Sequence, residues 1–263
     1  MLKGLYTAYT GMLNEQHRMD VLSNNLANAD TIGFKKEGAT SQSFNSVFVD
    51  KIRDDSECSI FPRRIGIANP GVKIGEGYTD YSQGAFQVTD NSYDFALGGM
   101  GFFTVEFTNK AGETSTLYTR DGNFQLTREG FLVTTDGDFV LARGANNTTN
   151  RIRLNPDLPV TVNEQGQILQ NDQVVAQLKI TDFADYNYLE HYGENYYVPV
   201  EGAEPEDATD CIVLQGFLET SNVSIVSEMV NMITVSRQYE ANQKIIQTYD
   251  SSLQIAVNDL GKV

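Results

Sequence analysis

The chain has 263 residues, of which 40% are hydrophobic and 21% are charged, so it can form one large folded domain or two modest ones. Its net charge of −16 argues against nucleic acid or anionic lipid as a partner. No apolar run is long enough to span a membrane, so no lipid-embedded segment is expected.

The negative charge is concentrated in the middle of the chain. Residues 1–36 contain four Lys or Arg against three Asp or Glu, and residues 217–263 contain three against five. Subtracting these from totals of 19 and 35 leaves 12 basic and 27 acidic residues between them, a net charge of −15. The two nearly neutral ends can therefore pack against like copies with little repulsion.

A helix is predicted at the amino terminus, from about Leu2 to about Asn28. Its apolar residues recur with a mean step close to the 3.5-residue period of helices that wind around other helices. They are Leu2, Leu5, Tyr9, Met12, Met19 and Leu26. Gly4, Ala8 and Gly11 form a strip of small residues, which lets a neighbouring helix approach closely.

The stretch 35–84 is predicted to be an extended connector with one or two strands. It follows Gly33, which is the expected left-handed stop of the first helix. The stretch carries Pro62, Pro70 and several glycines, and it shows no sustained apolar period.

Residues 85–218 are predicted to be rich in β-structure, because short apolar runs alternate with turn residues. The strand candidates are 102–107, 115–118, 124–126, 131–134 and 139–142. Asp-Gly pairs at 121–122 and 136–137 mark turns, and the second of them is a strong hairpin signal. Many short strands at close spacing indicate an antiparallel sheet or a small barrel. The acidic segment 202–210 is predicted to be turn-like.

A second helix is predicted from Ser221 to about Asp259, with Ser221 or Asn222 as its amino-terminal cap. Its length of about 58 Å exceeds what a small β-domain needs. A first apolar stripe comprises Ile225, Met229, Met232, Val235, Tyr239, Ile246, Tyr249, Leu253, Ala256 and Leu260. A second stripe comprises Val223, Val226, Val230 and Ile233. One partner helix covers one stripe, so a second stripe favours further neighbours, although a buried position in a monomer would also cover both.

The predicted fold is α+β, with paired amino- and carboxyl-terminal helices in a coiled-coil-like inner domain and a central antiparallel β-rich domain. Its expected divisions are a helix at 1–34, a connector at 35–84, the β-rich domain at 85–218 and a helix at 219–263. The predicted self-assembly interface comprises Leu5, Tyr9, Met12, Met19, Leu26, Val226, Met229, Val230, Ile233, Tyr239, Ile246, Tyr249 and Leu253.

The sequence predicts no catalytic residue, no metal ligand and no cofactor. The two histidines are predicted to be a surface or interface side chain at His17 and part of a solvated Tyr-rich loop at His191. Cys58 and Cys211 lie far apart without metal-ligand spacing, which leaves a disulfide, two thiols or incidental residues open.

The first sixteen residues lack a basic region, a continuous apolar core and a small-residue cleavage site. No ordinary secretory signal is therefore predicted. Taken alone this favours a cytoplasmic protein, although export by a pathway that reads an uncleaved amino terminus would leave the same trace.

Three groups of residues resemble the signatures of bacterial flagellar rod and hook proteins. The first group is Ser23, Asn24, Asn25, Leu26, Ala27 and Asn28, followed by Thr31, Ile32, Gly33, Phe34 and Lys35. The last group is Leu218, Glu219, Thr220, Ser221, Asn222 and Val223, followed by 228–233 and 237–240. Between them, 101–103, 118–124, 130–134 and 193–195 are similar to the β-domain of the family.

The resemblance implies an axial protein of the flagellar basal body. Such subunits are exported unfolded through the flagellar type III export apparatus without a cleaved signal, and so they act outside the cytoplasm. They polymerise helically, with copies of themselves and with other rod and hook proteins as partners, into a hollow tube lined by the terminal helices. The tube transmits torque and carries later subunits outward.

Length and the Glu-Thr-Ser-Asn-Val run at 219–223 most resemble a distal rod protein. A proximal rod protein and a short hook-type protein are the alternatives within the family. An alternative of a different class is a soluble binding module, which would be monomeric at high concentration and would tolerate truncation of its ends.

Overall fold

The computed structural model describes residues 2–51, 63–109, 112–144, 149–193, 195–208 and 211–261. The chain divides into two compact units. Unit 1 comprises Met1–Ala27, Glu37–Asp80 and Ser224–Val263, and unit 2 comprises Asn28–Lys36 and Tyr81–Val223. Cys58 lies outside the described residues, so the question of a disulfide with Cys211 stays open.

Unit 1 contains both long helices and two two-stranded sheets. Its elements are α1 (Leu2–Ala27), β1 (Lys36–Ser43), β2 (Val47–Lys51), β3 (Arg63–Ala68), β4 (Val72–Asp80) and α2 (Ile225–Leu260). β1 pairs with β4, and β2 pairs with β3 in an antiparallel hairpin. Neither helix in the described part of the chain is long and apolar enough to cross a membrane.

Both terminal helices are confirmed, but the predicted cap of the second is wrong. α2 begins at Ile225 after Ser224, whose side chain makes no capping hydrogen bond. Asn222 is used elsewhere: its Oδ1 accepts from the Lys36 backbone N–H at 2.8 Å, and its Nδ2 donates to the carbonyl oxygen of Ser82. Ser221 Oγ accepts from the Val223 backbone N–H instead of from a helical amide.

The stretch predicted as a connector contains four strands rather than one or two. Most of the described side chains of β1 and β4 are exposed or half-buried, including Ile74 and Tyr78. A strand without a buried face shows no apolar alternation, so the periodicity that identifies strands from sequence is missing here.

In its described residues, unit 2 consists of short strands and a 3-10 turn at Tyr186–Tyr188. The strands are β5 (Phe86–Val88), β6 (Phe95–Gly98), β7 (Phe102–Thr108), β8 (Thr114–Thr119), β9 (Phe124–Leu126), β10 (Leu132–Thr134), β11 (Phe139–Arg143), β12 (Thr149–Arg151), β13 (Thr161–Val162), β14 (Gln167–Gln170), β15 (Gln173–Gln177), β16 (Ile180–Phe183), β17 (Leu189–Tyr192), β18 (Tyr196–Pro199), β19 (Pro205–Asp207), β20 (Ile212–Gln215) and β21 (Phe217–Glu219).

The largest sheet of unit 2 has ten strands with the central order β17-β18-β8-β7-β11-β10-β9. Its described pairings are antiparallel, as predicted, and β7 to β11 correspond to the five strand candidates. Smaller sheets are β13-β14-β15, β20-β6 and β21-β5. The larger apolar core includes Phe95, Leu97, Phe103, Phe124 and Ile168, each at most 1% exposed. A second, smaller cluster consists of Phe102, Tyr118, Phe183 and Tyr197.

Two predicted loops of unit 2 are strands. The segment 202–210 contains β19, which pairs with β16, and His191 lies on β17. The His191 ring contacts the rings of Phe34 and Tyr197, so it is a packed side chain and not part of a solvated turn. β19 was missed because its segment is acidic and polar, and β17 was missed because its alternating half-buried and exposed residues include charged and polar side chains.

Candidate assembly surface and buried ion-pair cluster

The two long helices pack against each other through the predicted strip of small residues. A Cβ added at Gly4 would lie 2.3 Å from Tyr249 Oη, and one added at Gly11 would lie 3.0 Å from Asn242 Nδ2. Ala8, between the two glycines, is 5% exposed. Because residue numbers rise on α1 as they fall on α2, the helices run antiparallel and are closely spaced at this strip.

The predicted assembly residues fall into two groups according to burial. In the first group, which is half-buried within this chain, are Leu5, Met12, Met19, Leu26, Tyr239, Ile246 and Tyr249. Val235, on the same side of α2 as Asn242, is 1% exposed. This side of α2 therefore has neighbours within unit 1.

The second group leaves its side chains in solvent. Val226, Met229, Val230 and Ile233, which we call the α2 stripe, are 74%, 51%, 57% and 52% exposed. They follow the i, i+3, i+4, i+7 spacing of one helix face. Tyr9 on α1 and Leu253 near the end of α2 are also exposed.

The α2 stripe lies on a surface without exposed charge. Between Ile225 and Ser236 the one ionisable residue is Glu228, and it is fully buried. The first three turns of α2 thus present an apolar, uncharged face in a chain whose net charge is −16. Depletion of charge at an exposed apolar face is typical of the centre of a protein–protein interface.

Side-chain amides join α1 to the strands of unit 1. Asn25 Nδ2 donates to the Glu37 carbonyl oxygen at 2.7 Å, and Asn25 Oδ1 accepts from the Glu37 backbone N–H at 2.9 Å. Asn14 Nδ2 donates to Ser41 Oγ at 2.9 Å. Asn25 is fully buried and satisfies both backbone groups of Glu37, which explains an asparagine near the end of an otherwise apolar helix face.

In unit 2, the first and last motif groups meet at a buried ion-pair cluster formed by Lys35, Arg120 and Glu219. Lys35 Nζ donates to Glu219 Oε1, and Arg120 Nη1 donates to Glu219 Oε2 at 3.2 Å. All three side chains are at most 2% exposed. We call this arrangement the Glu219 cluster.

Backbone groups supply further hydrogen bonds to the Glu219 cluster, although the buried Nε of Arg120 has no hydrogen-bond partner among the described residues. Lys35 Nζ also donates to the Ser82 carbonyl oxygen, Arg120 Nη2 donates to the Gly99 carbonyl oxygen, and the Gly84 backbone N–H donates to Glu219 Oε1. Charges buried this deeply are tolerated only when each is paired and hydrogen-bonded. The cluster therefore fixes the segment that follows α1 beside the strand that precedes α2.

Gly33 explains why the first motif contains a glycine before Phe34. Its φ is +71°, which favours glycine, and an added Cβ would lie 2.5 Å from the Asp121 backbone nitrogen. Its backbone N–H donates to the Glu219 carbonyl oxygen at 2.9 Å. The first, middle and last motif groups are thus within contact distance of one another.

The same three regions match models of flagellar proteins. Residues 5–35 match a model described as "Flagella basal body rod protein", 96–170 match "Flagellar hook protein FlgE/F/G D1 domain", and 214–260 match "Flagellar basal body rod FlgEFG protein C-terminal". The chain is 35% identical to the flagellar basal-body rod protein FlgG of Buchnera aphidicola subsp. Schizaphis graminum, over 97% of this chain and 98% of the relative. The chain belongs to the flagellar basal-body rod protein family.

Other relatives of this rod protein carry different names. It is 32% identical to the basal-body rod protein FlgF of Caulobacter vibrioides and 31% identical to the hook-basal body complex protein FlhO of Bacillus subtilis, each over the full length of both chains. This rod protein is accordingly a structural subunit of the flagellar basal body that associates with other axial flagellar proteins.

The remaining motif residues of the rod protein have more local positions. Asn24 Nδ2 donates weakly to Glu37 Oε2 at 3.4 Å, and Asn28 Oδ1 accepts from Thr31 Oγ1. Phe34 is 1% exposed, with its ring against that of His191. The exposed motif residues include Ser23, Asn24 and Ala27, and the half-buried ones include Leu26, Ser221, Asn222 and Val223.

Sequence reasoning did not identify the Glu219 cluster as a unit. Lys35 and Arg120 were assigned to motifs without any predicted contact, and 99 residues separate Arg120 from Glu219. One signal was available: each charged residue directly follows a short run of apolar or polar uncharged residues such as Gly-Phe or Phe-Leu.

Asp121, in the middle motif group, is the group with the clearest electrostatic perturbation near the cluster. Burial raises its pKa to about 6, against the hydrogen bond that its Oδ1 accepts from the Asn123 backbone N–H at 2.9 Å. Asp136 and Asp94 add a smaller upward contribution through like-charge repulsion. In the part of the chain that the structure describes, no group of three or more His, Cys, Asp or Glu side chains could hold a metal ion.

Proposed function

We propose that this rod protein polymerises helically into a hollow shaft that transmits motor torque and serves as a channel for exported subunits, without enzymatic activity. The observation that carries the proposal is the α2 stripe, four apolar residues exposed on an uncharged helix face. A monomer has no use for such a face, whereas an assembly buries it at about 25 cal/mol per Å².

The proposed assembly interface is the predicted set, now divided by the structure. The half-buried residues stabilise the subunit and line the apolar contact with neighbouring copies. They are Leu5, Met12, Met19, Leu26, Tyr239, Ile246 and Tyr249. The exposed residues contact neighbouring copies directly. They are Tyr9, Val226, Met229, Val230, Ile233 and Leu253. Seams of this kind resist shear collectively, since each added copy buries further apolar surface.

The matched pair Val230→Lys and Ile255→Lys tests this proposal. Both residues are exposed on α2, at 57% and 62%, so neither substitution buries a charge in the subunit. Val230→Lys should abolish sedimenting polymers of the purified full-length chain while leaving circular dichroism unchanged. Ile255→Lys should have a much smaller effect. A full-length chain that stays monomeric at high concentration would instead favour the soluble binding module.

We further propose that the protein is exported through the flagellar type III apparatus with an intact amino terminus and acts outside the cytoplasm. The similarity to basal-body rod proteins supports this route. Mass spectrometry of basal bodies should recover the chain beginning at its encoded residues. A protein shortened at its amino terminus by a signal peptidase would contradict the proposal.

The distal rod subtype is proposed from the chain length and the Glu-Thr-Ser-Asn-Val run. The same Glu219 anchors the buried cluster, so this run has a structural role in unit 2. Electron microscopy of basal bodies containing a labelled copy should place the label in the distal half of the rod. A label at the proximal end or in the hook would select the corresponding alternative.

A further inference from the structure

A second apolar surface of unit 1 is formed by described residues of α1 and the β2–β3 hairpin. The groove has a volume of about 400 Å³ and is lined by Lys3, Tyr6, Thr7, Val47, Val49, Ala68, Asn69 and Pro70. Tyr6 and Val47 are 66% and 56% exposed. Among these lining residues only Lys3 carries a charge, so the groove matches the α2 stripe in being apolar and nearly uncharged.

The α2 stripe of the same chain cannot fill this groove. The contacts Gly4 to Tyr249 and Gly11 to Asn242 set an antiparallel register in which the groove end of α1 lies level with about residue 248 of α2. The centre of the stripe is about 18 residues away from that level, which is about 28 Å along the helix. Ile233 also projects about 180° away from Asn242, that is, away from α1.

We propose that the α2 stripe of one copy docks into the groove between α1 and the β2–β3 hairpin of a second copy, an inference that rests on the proposed polymerisation. The contact is a helix in an apolar groove, with Val226, Met229, Val230 and Ile233 as anchors at i, i+3, i+4 and i+7. The occupant is this chain itself because the stripe is uncharged and Lys3 is the one charged residue among those lining the groove, whereas most of the acidic charge lies outside the terminal segments.

The geometry of the pairing determines the kind of assembly. The stripe and the groove are different surfaces, so the contact is heterologous and propagates from copy to copy. If neighbouring helix pairs are parallel, contacting copies are offset by about 28 Å along the helix axis. Four anchor residues bury much less than the roughly 1,200–2,000 Å² of a stable dimer, so the contact is weak singly and becomes effective in a polymer.

Disulfide trapping between two single-cysteine variants tests the pairing. The background chain carries Cys58→Ser and Cys211→Ser, and the variants add either Val47→Cys in the groove or Val230→Cys in the stripe. The two full-length proteins are mixed, allowed to assemble and oxidised with copper phenanthroline. The matched control replaces Val230→Cys with Ile255→Cys, which is equally exposed on the same helix.

We expect a mixed Val47→Cys/Val230→Cys dimer in at least about tenfold excess over the Val47→Cys/Ile255→Cys dimer. Dominant Val230→Cys homodimers would show that stripe meets stripe and would overturn the proposal. Polymers that sediment without any mixed dimer would overturn the groove as the docking site while leaving the proposed function intact. Failure of the background chain to sediment at all would refute both the polymer and this pairing.

Discussion

The two units of this rod protein differ in where they place apolar side chains. Of the described hydrophobic residues that are buried, only Ala8 and Val235 belong to unit 1, and the others belong to unit 2. Conversely, of the 27 large hydrophobic residues that are exposed in the described part of the chain, 18 lie in unit 1. Unit 2 therefore satisfies its own core, whereas unit 1 leaves apolar surface for other molecules, as expected of the part that assembles.

The largest expected effect comes from removing residues 245–263, which takes Tyr249 away from Gly4 and shortens α2. Unit 2 should stay folded because its core contains none of these residues. Assembly should be lost completely, as measured by sedimentation and by complementation of motility. A chain that ends at Leu260 keeps α2 and is the control. If the shorter chain still formed tubes, the claim that unit 1 is the part that assembles would be wrong.

Glu219→Gln should have the largest effect of a single substitution on the stability of unit 2. It leaves Lys35 and Arg120 buried without a counter-charge, which costs about 3–5 kcal/mol. Glu106→Gln is the control, since its partner Arg151 is 42% exposed and that bridge contributes at most about 1 kcal/mol. Urea denaturation of the monomer measures both, and equal losses would show that burial of the cluster is unimportant.

Gly33→Ala should destabilise unit 2 somewhat less. A left-handed backbone costs a non-glycine residue about 1–3 kcal/mol, and the new Cβ would also displace the backbone at Asp121. Gly137→Ala shares the positive φ, at +97°, but its Cβ would meet nothing within 4 Å. Thermal denaturation should show a larger loss of stability for Gly33→Ala than for Gly137→Ala. The difference measures the cost of the close approach to Asp121, because both substitutions share the backbone strain. Equal losses of stability would mean that the backbone at Asp121 moves away from the new Cβ without an energetic cost.

The last expected effect is a dependence on pH, which disappears at low pH. Burial raises the pKa of Asp121 from 3.8 to about 6, so between these values the folded chain binds a proton that the unfolded chain releases. The stability contributed by Asp121 is therefore present below about pH 4 and is lost as pH rises through 6. The stability of Asp121→Asn minus that of the parent should rise by up to about 3 kcal/mol from pH 4 to 6.5.

Urea denaturation across this pH range measures that difference. Glu129→Gln, in an exposed hairpin loop, should follow the parent at every pH. A constant difference between Asp121→Asn and the parent would show that Asp121 is not buried in the folded protein.

Much of the fold could be predicted where one physical requirement repeats along the chain. The terminal helices repeat an apolar side chain every three to four residues, and the β7–β11 region alternates apolar runs with Asp-Gly or Gly turns. β1 and β4 could not be located because their side chains are exposed or half-buried and leave no period. β19 was missed because its residues, Pro205–Asp207, are those of a turn.

The sequence alone determined the family, the two terminal helices and the presence of more apolar surface on α2 than one partner can cover, because helical period and motif order are local properties of the chain. Only the tertiary structure decided which stripe of α2 is covered, since that depends on the register set by Gly4 with Tyr249 and Gly11 with Asn242. It likewise brought Lys35 and Arg120 to Glu219. Contacts across 184 and 99 residues leave no periodic trace, and they form only when burial forces separated charges to pair.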